Sequence, residues 1–364
     1  MRLGFAAFTL EQSSGQLSSE AMDGFANGFS PQTILPVQRT LKTSIACVGV
    51  GLHSGHKLEM TLHPAPAGTG IVFRRTDADN WEIPARYDHV ADTRLCTVLA
   101  CPDRSELRIG TVEHVLAALA GCGVSNAIVA VNGPELPILD GSAASFVFLI
   151  DCAGIIDQGA VAPVIEVRRP VAVAHGEAFA ELHPASTAPA AGGFEMDMSI
   201  DFDAAAIGCQ ALAMRLTPEA FRADLARART FTLVGEVASL RAAGLALGGN
   251  LDNCVVVDNA RVLNAGGLRM PDEFVRHKLL DAVGDFALAG AVLHGRFVAH
   301  RSGHALNNHL LRALFADPAN WRLLSADVAR VGMLAGVRMG DGSAVLPGLG
   351  SWQDRRLPVA AAPV

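Results

Sequence analysis

The feature that most constrains this chain is a pattern that occurs twice. Around His114 a helical run, Thr111 to Ala120, is followed by a strand, Ala127 to Val131, a turn at Asn132-Gly133-Pro134 and a second helical run, Ala143 to Ile150. Around His277 the same order returns: helix His277 to Leu288, strand Arg296 to His300, turn Ser302-Gly303-His304 and helix Ala305 to Phe315. With His114 laid on His277, Asp140-Gly141-Ser142, 26 residues after the first histidine, falls beside His304, 27 residues after the second. Two strand-and-helix units can share an order by chance. If the echo is real, it requires an α+β protein made of two copies of one unit, each a sheet covered by helices, joined near Gly159 to Pro163.

The local signals support the elements. Val112, Val115, Leu116 and Leu119 recur at helical spacing, with Thr111 as the expected N-cap and Gly121 as the expected stop. From Val37 to Arg75, apolar runs alternate with Gly and Pro and predict strands and turns. A length of 364 residues fits two domains, read as 37–160 and 161–340. Residues 1–36, rich in Ser, Gln and Gly with little apolar periodicity, are expected to be a flexible tail, with Met22 as an alternative start, and 341–364 a C-terminal tail.

Composition excludes several classes of function. Half of the residues are hydrophobic and 18% charged, which rules out a disordered chain. A net charge of −7 gives no basic field for a nucleic-acid backbone, so nucleic acid is not an expected partner. The seven cysteines are odd in number and form no C-x-x-C pair, which argues against a disulfide framework and suits a reducing cytoplasm. The longest uncharged window, Val115 to Pro134, is broken by Gly121, Gly123, Asn132 and Gly133, so no transmembrane segment is expected. Leu3 to Leu10 is short for a signal sequence and lacks a small-residue cleavage site.

The chemistry concentrates in Asp272 to Asp285. His277, Asp281 and Asp285 are spaced i, i+4, i+8, so one helical face presents an imidazole and two carboxylates. Such groups suit zinc, and a catalytic zinc takes three protein ligands and leaves a position open. The same spacing also describes a solvated helix face with an ordinary His-Asp pair. Glu113-His114 opens the helix of the other repeat. If His114 joins His277 and Asp281 on a metal, Glu113 is placed to act on a water without ligating, as a general base must. The alternative is a glutamate favoured by the helix dipole beside a partly exposed histidine. His304 stands at a turn into a helix, where it could stabilise an oxyanion or protonate a leaving amine with Asp285 fixing its tautomer, or simply cap the helix.

Other motifs are weaker. His53-Ser54-Gly55-His56 is a competing metal pair without a carboxylate at ligand spacing, so substrate contact or exposure is expected there. Arg227, Arg229, Arg276, Lys278 and Arg301 place positive charge near the same segments, which suits an anionic substrate or a solvated face. Gly248-Gly249 completes no phosphate loop, and Ser142 and Ser302 lack a nucleophile elbow.

From Gln38 to Phe315 the chain resembles the bacterial UDP-3-O-acyl-N-acetylglucosamine deacetylase family, the zinc amidases of lipid A biosynthesis. The likeness is carried, in order, by Gly49-Val50-Gly51-Leu52-His53-Ser54-Gly55, Arg74-Arg75-Thr76-Asp77, Thr111-Val112-Glu113-His114, Leu136 to Ala143, Arg229-Thr230-Phe231, Asp272 to Asp285, and Ser302 to Asn308. It implies Zn2+ held by His114, His277 and Asp281, with Glu113 as base and His304 as acid or oxyanion group. It further implies Thr230 near the oxyanion, Asp285 behind His304, and Lys278, Phe231, Arg301 and Leu233 toward the substrate. The implied fold is two similar β-α-α-β layered domains facing each other across the zinc site. Each carries an insertion, the second an apolar one near 232–262 that passes a fatty acyl chain; Leu233, Val234, Val237, Leu240, Leu245 and Leu247 suit that lining or a plain core. The implied reaction is hydrolysis of the N-acetyl amide of UDP-3-O-(3-hydroxyacyl)-N-acetylglucosamine to amine and acetate, the committed step of lipid A biosynthesis, in a cytoplasmic monomer. Two departures are the long N-terminal tail and Arg301, which stands where a lysine is common; the charge is kept but the geometry of a diphosphate grip changes. The rivals are a metal-stabilised binding module and a zinc amidase for another acyl-amino sugar.

Overall fold

Strict alternation sets the strands that build the core. Leu58, Met60 and Leu62 of Lys57–Pro64, and Phe194, Met196, Met198 and Ile200 of Phe194–Asp201, all point inward, while their neighbours face out. The computed structural model describes residues 35–102, 104–186 and 193–324. The tails expected at 1–36 and 341–364 lie outside the described residues, except for Leu35 and Pro36.

Two five-stranded sheets have one topology. In the first, the order is Ile45–Val50, Lys57–Pro64, Ala127–Val131, Ile71–Arg75, Trp81–Pro84. In the second it is Val171–His175, Ala178–His183, Arg296–His300, Phe194–Asp201, Cys209–Leu216. In both, the strand last in sequence enters the middle, antiparallel to the second strand and parallel to the third. Each middle strand follows a helix and precedes another: Glu113–Gly121 and Ala144–Ala153 in the first half, Glu273–Ala287 and His304–Ala316 in the second. The fold is α+β, with further small sheets around this frame.

The two halves meet where Glu113–Gly121 packs against Glu273–Ala287. Gly284 permits the close approach, since a Cβ there would run into the Glu113 backbone carbonyl. Burial leaves little of either helix in water: Val112, Val115, Leu116 and Leu119 are at most 1% exposed.

A three-stranded sheet is inserted before each of these helices. The first comprises Val90–Asp92, Val98–Cys101 and Arg104–Ile109, and the second Phe231–Leu233, Val255–Asp258 and Arg261–Val262. Within the second insertion the Val234–Ala242 helix has no buried residue, so Val234, Val237 and Leu240 do not form a plain core. None of the described helices is long and apolar enough to cross a membrane.

The helix starts differ from the sequence expectation. Thr111 is not the N-cap: its φ of 57° is left-handed, Val112 occupies the cap position, and the Thr111 hydroxyl donates to Glu135 Oε1 at 3.2 Å. A buried carboxylate partner outcompetes local capping. At the other end Gly121 is the last helical residue, as expected of a stop, and Gly123, at φ 74°, makes the left-handed exit. The second long helix begins at Glu273, four residues before His277, with the Glu273 carboxylate bound to Arg229 and to the Arg269 N–H.

Candidate active site

Two helices deliver the titratable groups to one buried point. The Glu273–Ala287 helix presents His277, Asp281 and Asp285 on successive turns of one face, and the Glu113–Gly121 helix begins with Glu113 and His114. Glu113, His114, His277, Asp281 and Asp285 are all at most 4% exposed. His277 Nε2 lies 3.3 Å and His114 Nε2 3.5 Å from the same oxygen, Asp281 Oδ1. That oxygen is buried without a hydrogen-bond partner. His277 Nδ1 faces the Ala228 carbonyl at 3.0 Å, an arrangement that places the ring proton on Nδ1 and leaves Nε2 with a lone pair toward Asp281. Among the described residues, His114, His277 and Asp281 form the group able to hold a metal ion.

Glu113 and His304 stand beside this group. Glu113 Oε2 accepts the Thr97 N–H at 3.0 Å, and Oε1 is 3.9 Å from His304 Nε2. His304 Nδ1 is 2.9 Å from Asp285 Oδ2, which also accepts Asn307 Nδ2 at 2.8 Å. The Asp285 carboxylate accepts, so His304 donates. His304 opens the His304–Ala316 helix as its first residue, after Gly303 at the cap.

The charges follow from burial and neighbours. Burial opposes a charged His304, but the facing Asp285 carboxylate and Glu113 outweigh it and the imidazole is pushed up to about 9. Burial raises the Glu113 carboxyl, and His304 and His114 offset this only in part. Burial lowers His277 to about 4 despite Asp281, so its ring is neutral at pH 7. Burial also opposes charge on Asp281, yet His277, His114 and Lys278 hold its carboxyl far below the usual range. A neutral imidazole and an ionised carboxylate are the forms that bind metals.

A cavity of about 830 Å³ opens onto these groups. Thr230, Phe231, Leu233, Lys278 and Arg301 all line it, together with Glu113, His114, His277, Asp281 and His304. Lys278 Nζ is 3.6 Å from Asp281 Oδ2, and the Phe231 ring packs edge-on to Phe274 and His277. Thr230 is fixed by its N–H to the Gly141 carbonyl and by its carbonyl to the Val255 N–H, both at 2.8 Å. Gly141 is required there: its φ is 79°, and a Cβ would strike the Asn253 carbonyl. Arg301 lies at the mouth with its guanidinium divided between Glu177, at 2.8 Å, and Asp201, at 2.7 Å.

Several charges expected near the substrate serve the scaffold. Arg229 is 8% exposed and pairs with Glu273 at 2.8 Å, and Arg276 is held by Asp272 and Asp224. Neither these nor Arg227 lines the cavity. His53 and His56 are outside the metal-competent group; the N–H groups of His53 and Ser54 bind Glu135, and His56 is exposed. All seven cysteines are free. Sequence reasoning missed Thr97 and Glu135, whose partners are remote in sequence and leave no local pattern.

The model of the LpxC family, UDP-3-O-acyl N-acetylglycosamine deacetylase, matches residues 38–316. Proteins named UDP-3-O-acyl-N-acetylglucosamine deacetylase from Idiomarina loihiensis and Shewanella frigidimarina are each 47% identical to the chain over 293 residues, which is 80% of this chain and 93% of each relative. One of that name from Acidithiobacillus ferrooxidans is 48% identical over 291 residues, covering 79% of this chain and 92% of the relative.

Proposed function

The chain belongs to the UDP-3-O-acyl N-acetylglycosamine deacetylase family, and from that membership we propose how its residues carry out the reaction. It is an enzyme of lipid A biosynthesis, a UDP-3-O-acyl-N-acetylglucosamine deacetylase. The bond broken is the N-acetyl amide, with water giving acetate and the free amine.

The proposed metal is Zn2+, held by His114 Nε2, His277 Nε2 and Asp281 Oδ1. The fit rests on the orphaned, buried Asp281 Oδ1 and on its separations of 3.3 and 3.5 Å from the two imidazole nitrogens. Ligand atoms about 2.0–2.2 Å from a tetrahedral zinc lie about 3.3–3.6 Å apart. When bound, the ion supplies Lewis-acid chemistry, polarising a carbonyl and acidifying a water. Three ligands leave a position open, as a catalytic site requires and a closed structural site does not.

Glu113 Oε1 is the general base. Its partner oxygen is tied to Thr97 N–H, so Oε1 is left to take the proton from the attacking water. His304, protonated through Asp285, stabilises the developing oxyanion from the side of Nε2, with Thr230 contributing at the same cavity wall. The amine departs with a proton from Glu113 or His304, which share the pocket. Lys278 and Arg301 meet the anionic part of the substrate, and Phe231 and Leu233 its apolar surroundings. The exposed apolar side chains of the 232–262 insertion, among them Val234, Leu247 and Leu251, form the acyl passage. In this reading the described residues of 37–160 and 161–340 form two layered β-α-α-β domains facing each other across the zinc site.

The observation that carries the proposal is a buried three-ligand cluster with a glutamate beside it and outside it. Acetate release is the test, assayed with and without chelator on acylated and unacylated UDP-N-acetylglucosamine. Turnover confined to the acylated substrate and abolished by chelator is expected. Chelator-resistant turnover would contradict the metal assignment.

A further inference from the structure

A buried threonine must give its hydroxyl hydrogen to an acceptor, and an ionised carboxylate can only accept. Thr97, 1% exposed and immediately before the Val98–Cys101 strand, donates from Oγ1 to Asp285 Oδ1 at 2.6 Å, across 188 residues of sequence. Its backbone N–H donates to Glu113 Oε2 at 3.0 Å. Its carbonyl accepts the Val112 N–H at 3.4 Å, at the entrance of the helix that carries Glu113 and His114. All three polar groups of this one residue are therefore engaged at the site, one on the first half's glutamate and one on the second half's aspartate.

The consequences are geometric. With Oε2 tied to Thr97, the Glu113 carboxylate cannot turn, and Oε1 remains the oxygen facing His304. Asp285 has its Oδ2 occupied by His304 Nδ1 and Asn307 Nδ2, so the Thr97 hydroxyl on Oδ1 is what fixes rotation of the carboxylate plane. Asn307 is held in turn by Ser302 Oγ, which donates to its Oδ1 at 2.8 Å.

We propose that Thr97 is a positioning residue for the reaction, aligning the Glu113 base and the Asp285–His304 pair from a single point. The proposal rests on the reading of Glu113 and His304 as the acid–base pair. Any replacement except proline keeps the N–H, so side-chain variants isolate the hydroxyl.

The test compares Thr97→Val, Thr97→Ala, Thr97→Ser and Glu113→Ala in the full chain, by kcat, KM and bound metal per chain. In Thr97→Val, kcat falls about 10- to 100-fold, the scale of outer hydrogen-bond partners in such sites, with KM within about twofold and metal unchanged. Thr97→Ala shows the same split if the valine variant does not fold, and Thr97→Ser restores kcat to within about threefold of the parent. Parental kcat in Thr97→Val or Thr97→Ala beside an inactive Glu113→Ala would overturn the role of Thr97 alone. Full turnover in Glu113→Ala would overturn the acid–base reading, and this proposal with it. Loss in the serine variant as deep as in valine would assign the threonine to packing.

Discussion

The two halves share a sheet topology and differ in what their corresponding helix starts do. In the first half, Asp140 precedes the Ala144–Ala153 helix and is consumed by scaffold contacts: it accepts from Ser142, Ser145 and Arg269. In the second half, His304 opens the His304–Ala316 helix, is held by Asp285 and lines the cavity. The site helices diverge as well. Glu113 and His114 are adjacent at the start of a nine-residue helix, whereas His277, Asp281 and Asp285 are spread over a fifteen-residue one. A repeated fold therefore supplies the frame, and chemistry arises where the copies differ. The insertions show the same division of labour: the first brings Thr97 to the site, and the second Leu233, with Thr230 just ahead of its first strand.

The largest effect expected from this contrast is on rate. Asp285→Asn removes the negative charge that holds His304 up to about 9, so burial pulls the imidazole down. Activity that requires imidazolium is full below that value and lost above it, so the alkaline limb of kcat/KM moves to lower pH and the maximum falls by about 10- to 100-fold. Profiles for both proteins between about pH 5 and 10 decide the matter. Superimposable curves would remove Asp285 from the mechanism. Asp140→Asn in the other half is expected to leave kcat within about threefold and to lower stability by about 1–3 kcal/mol, read by denaturant titration. A comparable rate loss there would break the contrast.

Gly284→Ala probes the seam between the halves. Its Cβ would meet the Glu113 carbonyl, so overpacking should cost about 1–3 kcal/mol, whereas Gly266→Ala, with open space around it, should be near neutral in denaturant midpoint. Equal midpoints would mean that the helices separate without cost. The smallest effect belongs to the mouth. Glu177 is 84% exposed on its side chain, so its pair with Arg301 is screened. Glu177→Gln, by releasing half of the Arg301 guanidinium for an anionic substrate, lowers KM by about fivefold at most. A raised KM would assign Glu177 itself to substrate contact.

Local patterns made much of this legible. The strands Ala127–Val131 and Arg296–His300 match their sequence ranges, because a short apolar run bounded by turn residues, as in the first, or an alternating one, as in the second, fixes a strand locally. His277, Asp281 and Asp285 could be placed on one face from helical spacing alone. What escaped was pairing at long range. Arg229 looked free for a substrate until Glu273, 44 residues away, was seen to occupy it, and Thr111 looked like a cap until Glu135 claimed its hydroxyl. Thr97 carries no signal in Arg94 to Val98, since its meaning lies in Asp285 from the other half.

The central claim is that Glu113 acts as a base beside the metal group rather than within it. Metal content and turnover of Glu113→Ala and His114→Ala, measured side by side, test it most directly. The account predicts about one metal per chain in Glu113→Ala with turnover reduced by at least about 100-fold, the lower scale of acid–base catalysis, and loss of both metal and turnover in His114→Ala. Equal loss of metal in the two variants would make Glu113 a ligand and contradict the account.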